Sequence, residues 1–180
     1  MQLDVLQLNL NEIKLLFKHG KTEDASLVEI VGWLAERHIT TVITLDKLGA
    51  VCVCCPPEKD VSIIIALPLR ISGLEDTTGA GDAFGAAIVT RLYLRQMQLG
   101  THQRLESHEW VPVLEEARYW AAYACTTRGG AEDCPSKTEL KSLRKRIREE
   151  GHWSPVALKD RSEAESILFL LDRAYSSVQN

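Results

Sequence analysis

Gly79-Ala80-Gly81-Asp82 sets two glycines, an alanine and an aspartate immediately before a long apolar stretch. Glycine lets a backbone turn tightly and lets a ligand come close. A helix starting there has N–H groups with no internal partner, and these favour an anion. Such a loop can hold a phosphate, or the charge that builds on one during transfer. The same helix end favours the negative charge of an aspartate. Within reach of a hydroxyl, that aspartate can accept the proton as the oxygen attacks. The plainer alternative is a glycine-rich turn with an aspartate at the helix start. The lysine and Ser/Thr of a Walker-type phosphate loop do not follow the second glycine.

The longer string, Asp76-Thr77-Thr78-Gly79-Ala80-Gly81-Asp82-Ala83-Phe84-Gly85-Ala86-Ala87, resembles the C-terminal signature of the PfkB sugar-kinase family at every constrained position. The resemblance implies that Asp82 is the catalytic base and that Gly79, Ala80 and Gly81 form the anion hole. It also implies that Asp76 and Thr78 border a monovalent-cation loop, usually potassium.

Three further elements follow the family's order. Asn9-Leu10-Asn11-Glu12 resembles its Asn-x-x-Glu element, which organises magnesium and phosphate. Oxygen donors at that spacing can hold metal-bound waters. The same residues also suit an ordinary N-terminal capping box, with Asn9 capping and Glu12 reaching back. Thr44-Leu45-Asp46-Lys47-Leu48-Gly49 lies where the family has a Thr-Leu-Gly-x-x-Gly turn lining the nucleotide. Thr44 and Gly49 match, whereas Asp46 stands where the family has glycine. Its charge either repels nucleotide phosphates or points to solvent and holds the turn. Thr127-Arg128-Gly129-Gly130-Ala131, with Pro135 after it, resembles the family's last core stretch. By that likeness Tyr119 lies near the adenine, and Cys125, Arg128, Gly130 and Cys134 border the cation.

These residues need a scaffold. Apolar or β-branched runs at 1–8, 40–45, 50–55 and 61–69 read as strands. Helical spacing covers 9–19, 22–38, 82–99, 109–126, 136–149 and 160–175. Ser136 and Glu139 are spaced as a capping box. Mixed strands and helices with early alternation give an α/β class. The resemblance refines this to a ribokinase-like, Rossmann-type layered core, shortened at its N-terminal side. Residues 1–150 are expected to form the catalytic and nucleotide-binding portion, and 151–180 a linker and an extra helix.

The net charge of −4 argues against nucleic acid as a main partner. No apolar run approaches a membrane span, and no basic-then-apolar leader opens the chain. The five cysteines fit no zinc framework and read as reduced thiols, which points to the cytoplasm. The histidines pair with no ligand at metal spacing. The basic run from Lys141 to Arg148 reads as a solvated helix face. The first strand lacks the Gly-x-Gly-x-x-Gly turn of a dinucleotide-dependent oxidoreductase.

The resemblance therefore implies an ATP-dependent phosphotransferase acting on a hydroxyl of a sugar-like substrate, with Mg²⁺ and K⁺ as cofactors. ATP is expected across the 44–49 turn and the 119–131 segment. Complete family members carry the β-lid and most sugar contacts further N-terminal, so an N-terminal half or a second copy is an expected partner. The other reading is a truncated, non-catalytic nucleotide-binding or assembly module.

Overall fold

The structure, a computed structural model, describes residues 5–18, 25–56, 59–100, 104–127, 134–151 and 154–179. The chain divides into two units by its internal contacts. The first holds residues up to Ala66, Arg104–Trp110 and residues from Ala157 onward; the second holds the rest, from Leu67 to Val156.

In the first unit, five strands form one sheet: β1 (Leu6–Asn9), the β-branched runs β2 (Thr41–Thr44), β3 (Ala50–Cys54) and β4 (Ser62–Ala66), and β5 (Ala157–Lys159). They lie side by side in that order. β1 and β2 are parallel, and the later pairs are antiparallel. A parallel pair needs a crossover, supplied by α1 (Leu10–Lys18) and α2 (Leu27–Glu36). Ser26 and Glu29 close a capping box at the start of α2. β2 and β3 need only a short hairpin, closed by a one-turn 3-10 helix at Asp46–Leu48.

Alternate residues Ile43, Val51, Val53, Ile63 and Ile65 enter a core with Leu10, Ile13, Leu27, Ile30 and Leu34. The intervening Val42, Cys52, Cys54 and Ile64 are fully buried as well. Burial on both faces explains why these strands read as continuous apolar runs rather than alternating ones. The segment beyond residue 150 is more than a linker and an added helix. It contributes the edge strand β5, and α6 (Arg161–Gln179) sends Ala164, Leu168, Leu171 and Tyr175 into the same core. Asp160 caps α6 by accepting from the Glu163 amide at 2.8 Å.

The second unit is helical: α3 (Ala80–Leu99), α4 (Ser107–Ala124) and α5 (Lys137–Glu149). Ser136 and Glu139 close the expected capping box on α5. The three helices meet at Glu116, whose carboxylate accepts from Arg91 of α3, Arg144 of α5 and Trp120 within α4. Arg144 also stacks on the Tyr119 ring, 4.8 Å from its centroid. Arg118, 4% exposed, donates to the backbone carbonyls of Leu67 (2.8 Å) and Ser154 (2.9 Å) and pairs with Glu115.

Burial pushes the Glu116 carboxyl up, but the Arg91 hydrogen bond and the Arg144 charge outweigh it and hold it below the usual glutamate range. A carboxyl lowered in this way contributes stability that is present above its unfolded value and lost as pH falls through its folded value. Glu116→Ala is expected to cost about 1–2 kcal/mol at neutral pH, because it removes the acceptor shared by Arg91, Arg144 and Trp120. The gap between wild type and Glu116→Gln should narrow toward acid pH. Urea unfolding at neutral and acid pH measures both; an unchanged midpoint at neutral pH would refute the role.

Candidate active site

Asn9 ends β1 and Thr44 ends β2, and the two are register partners. The chain therefore sets both residues at the carboxyl ends of adjacent parallel strands, where open α/β sheets bind ligands. Asn9 Oδ1 accepts from the Glu12 amide at 2.8 Å, and Glu12 Oε2 accepts from the Asn9 amide at 2.8 Å. This is the reciprocal capping box, and it pins both exposed side chains at the first turn of α1.

Beside Thr44, the Leu45 amide donates to the Gly49 carbonyl at 2.8 Å, and the Leu48 and Gly49 amides return to Leu45 and Asp46. Leu45 is fully buried, so it presents backbone rather than side chain. Asp46 has φ +54° and Gly49 φ +99°. These angles explain why glycine suits both places. Asp46 adopts a left-handed angle that aspartate tolerates better than most residues, and its side chain is exposed.

In the second unit, Gly79 sits at φ +77° as the N-cap of α3, and Asp82 lies in the helix's first turn with its side chain exposed. The helix begins two residues earlier than its apolar pattern indicated, so Ala80 and Gly81 are helical. The Ala80 amide turns back on the Thr77 carbonyl at 3.2 Å, and the Ala83 amide on Gly79 at 2.9 Å. A Cβ added at Gly81 would meet nothing within 4 Å, so the space at the helix start is open.

The segment before the loop is tied to the end of α4. Glu75 and Asp76 amides both donate to the Cys125 carbonyl, at 2.9 and 3.4 Å, and Asp76 Oδ1 accepts from the Thr78 amide at 2.9 Å. Asp76, Thr78 and Cys125, grouped by resemblance alone, are thus brought together. Arg128 and Gly130 lie outside the described residues, and Cys134 is exposed. Tyr119, expected beside an adenine, is 1% exposed and packs with Ala122, Leu140, Leu143 and Ile147. Burial, with the nearby Glu115 charge, pushes its hydroxyl up.

Among the described residues, no group of three or more His, Cys, Asp or Glu side chains is placed to hold a metal. Magnesium fits this arrangement only in its usual phosphate-bound manner, with one or two carboxylates and water completing the shell. The Asp76 carboxylate, Thr78 and neighbouring carbonyls are hard oxygen donors suited to a cation such as K⁺, although the Cys125 carbonyl is already engaged by two amides. An open pocket of about 780 Å³ at the other end of the sheet, lined by His38, Lys59, Ser62 and Glu106 among others, includes none of the predicted site residues.

The sequence reading missed two contributors. Glu75, whose amide anchors the loop, carries no signal because the bond is made by backbone. Tyr175 of α6, close enough to Asp46 for that charge to raise its hydroxyl further beyond the effect of burial, showed only as part of an apolar stripe.

Comparison with known proteins bears on this geometry. The family described as pfkB family carbohydrate kinase matches residues 1–137. No curated protein matches the chain. Among solved structures, the chain is similar to a fructokinase from Vibrio cholerae O395 bound to fructose, ADP and calcium ion: TM-score 0.59, 23% identity, covering 78% of this chain and 40% of that one. A ribokinase from Thermotoga maritima gives TM-score 0.54 at 20% identity, covering 79% and 42%. A Burkholderia thailandensis nucleoside kinase gives 0.53 at 20%, covering 78% and 38%. The ribokinase-like fold is thus shown, and the chain spans about two fifths of these relatives' length. No helix among the described residues is long and apolar enough to cross a membrane.

The open space at Gly81 separates folding from binding. Gly81→Ala should leave the melting temperature unchanged or slightly raised, since alanine favours a helix by up to about 1 kcal/mol. The same variant should weaken binding of ADP if a phosphate occupies that space. Gly79→Ala should instead destabilise by about 1–2 kcal/mol, because a side chain is strained at that angle. Thermal melts and ADP calorimetry on both variants distinguish the two effects.

Proposed function

The chain belongs to the pfkB family of carbohydrate kinases, and from that premise we propose that it carries the catalytic and nucleotide-handling elements of an ATP-dependent phosphotransferase. The acceptor is a hydroxyl of a sugar or sugar-like alcohol. The observation that carries this reading is the start of α3, where exposed Asp82 stands in the first turn behind a positive-φ glycine and an open Gly81. In this reading Asp82 accepts the proton of the attacking hydroxyl, which displaces ADP from the γ-phosphorus in line. The positive end of the α3 dipole at Gly79–Asp82 favours the charge on the transferring phosphoryl group. Asn9, Glu12 and the 44–49 turn serve the nucleotide and its magnesium, which when bound neutralises phosphate charge. Asp76, Thr78 and the carbonyl of Cys125 shape the loop that a monovalent cation would share.

A second reading, a nucleotide-binding or assembly module without turnover, is favoured by Asp46 in the nucleotide turn. Calorimetry with ADP and Mg·ATP, followed by a coupled ADP-release assay over a sugar panel, separates them. Under the first reading Asp82→Asn and Asp82→Ala lose at least about 100-fold in turnover while ADP binding and melting temperature hold. Full turnover in either variant would sink the assignment of the base. Binding without turnover, with and without a complementing N-terminal half, would favour the module.

A further inference from the structure

Residues 157–179 lie beyond the stretch matched by the family, which ends at 137, yet they pack behind the elements assigned to the nucleotide. α6 packs against α2, β4, β5 and the 46–48 turn. Leu45, within the turn, shares a core with Leu168, Leu171 and Tyr175 of α6, and Leu48 packs against that core. Tyr175 is 5% exposed. One turn of α6 earlier, Asp172 faces Lys14 of α1 at 3.9 Å, on the helix whose first turn carries Glu12. The tail helix thus reaches both nucleotide-side elements of this unit from their buried side.

The turn needs such backing. Asp46 holds φ +54°, an angle that glycine adopts without strain and that aspartate, though more tolerant than most residues, adopts at some cost. A strained residue persists only when its surroundings over-determine it. Here the surroundings are the buried side chains of α6. We propose that α6 is a brace for the nucleotide turn and that Tyr175 is a positioning residue, fixing the 45–49 turn in a conformation that its aspartate adopts less readily than glycine would. The positioning role rests on the phosphotransferase reading; the brace itself does not. The aspartate at position 46 and the helix at 161–179 are then two halves of one departure from the family pattern, and neither is expected to serve alone.

The test uses the full chain. Amide exchange without nucleotide reads the Leu48 and Gly49 amides, which close the turn, and calorimetry with ADP reads function. Tyr175→Leu, which keeps most of the apolar volume, is expected to speed exchange at Leu48 and Gly49 at least tenfold. It should weaken ADP binding at least fivefold, while the Ile30 amide in α2 stays protected. Leu171→Ala should act in the same direction and serves if Tyr175→Leu folds poorly. Asp46→Gly should abolish the effect of Tyr175→Leu, because glycine holds the angle unaided. Leu143→Ala, in the second unit's core, should leave exchange at Leu48 and Gly49 unchanged. Unchanged exchange in both α6 variants, equal acceleration at Ile30, or an undiminished effect in the Asp46→Gly background would overturn the brace. A wild-type chain that binds no ADP but shows the exchange pattern would overturn the phosphotransferase reading and leave the brace standing.

Discussion

The amides of Glu75 and Asp76 converge on the carbonyl of Cys125, and that shared acceptor determines where the 76–82 loop can be. It joins the chain just before α3 to the chain just after α4. With the segment held there, the Asp76 carboxylate meets the Thr78 amide, and Gly79 must turn through a positive φ to start the helix. Only then do the first amides of α3 and the Asp82 side chain occupy one exposed helix end. A carbonyl is an economical anchor because it imposes no side-chain identity.

The two units are stabilised by different physics. In the first, the sheet is covered on both faces, and burial of Ile, Val and Leu side chains supplies the driving force. In the second, long helices with many exposed apolar residues, such as Val89, Tyr93 and Met97 of α3, are joined through Glu116, while Arg118 ties α4 to the carbonyls of Leu67 and Ser154. Partly buried charges of this kind are costly unless every partner is present. Their value is directional: Glu116 fixes which residues of α3, α4 and α5 meet, where apolar contact alone would permit sliding.

Asp46 shows how a family pattern and a local constraint can be separated. The left-handed angle at this position is a property of the short β2–β3 connection, not of a ligand. Glycine relieves it, and aspartate is among the residues that tolerate it. The acidic side chain therefore need not signal a changed chemistry. It requires a stiffer surrounding, which the chain possesses in α6.

By itself the sequence determined what depends on neighbours within a few residues. The capping residues Asn9 and Ser136, the β-branched runs of β2 to β4, and the Gly79–Asp82 helix start were legible, because capping bonds, strand propensity and glycine turns are local. The family string around Asp82 added the fold. Tertiary structure alone decided the rest: that β5 closes the sheet, that α6 lies against the 46–48 turn, that Cys125 holds Asp76, and that Tyr119 is enclosed by α5 rather than presented on a surface. Periodicity states which face of a helix is apolar but not which element covers it. A backbone carbonyl that accepts from amides some fifty residues away leaves no mark on residue type at all.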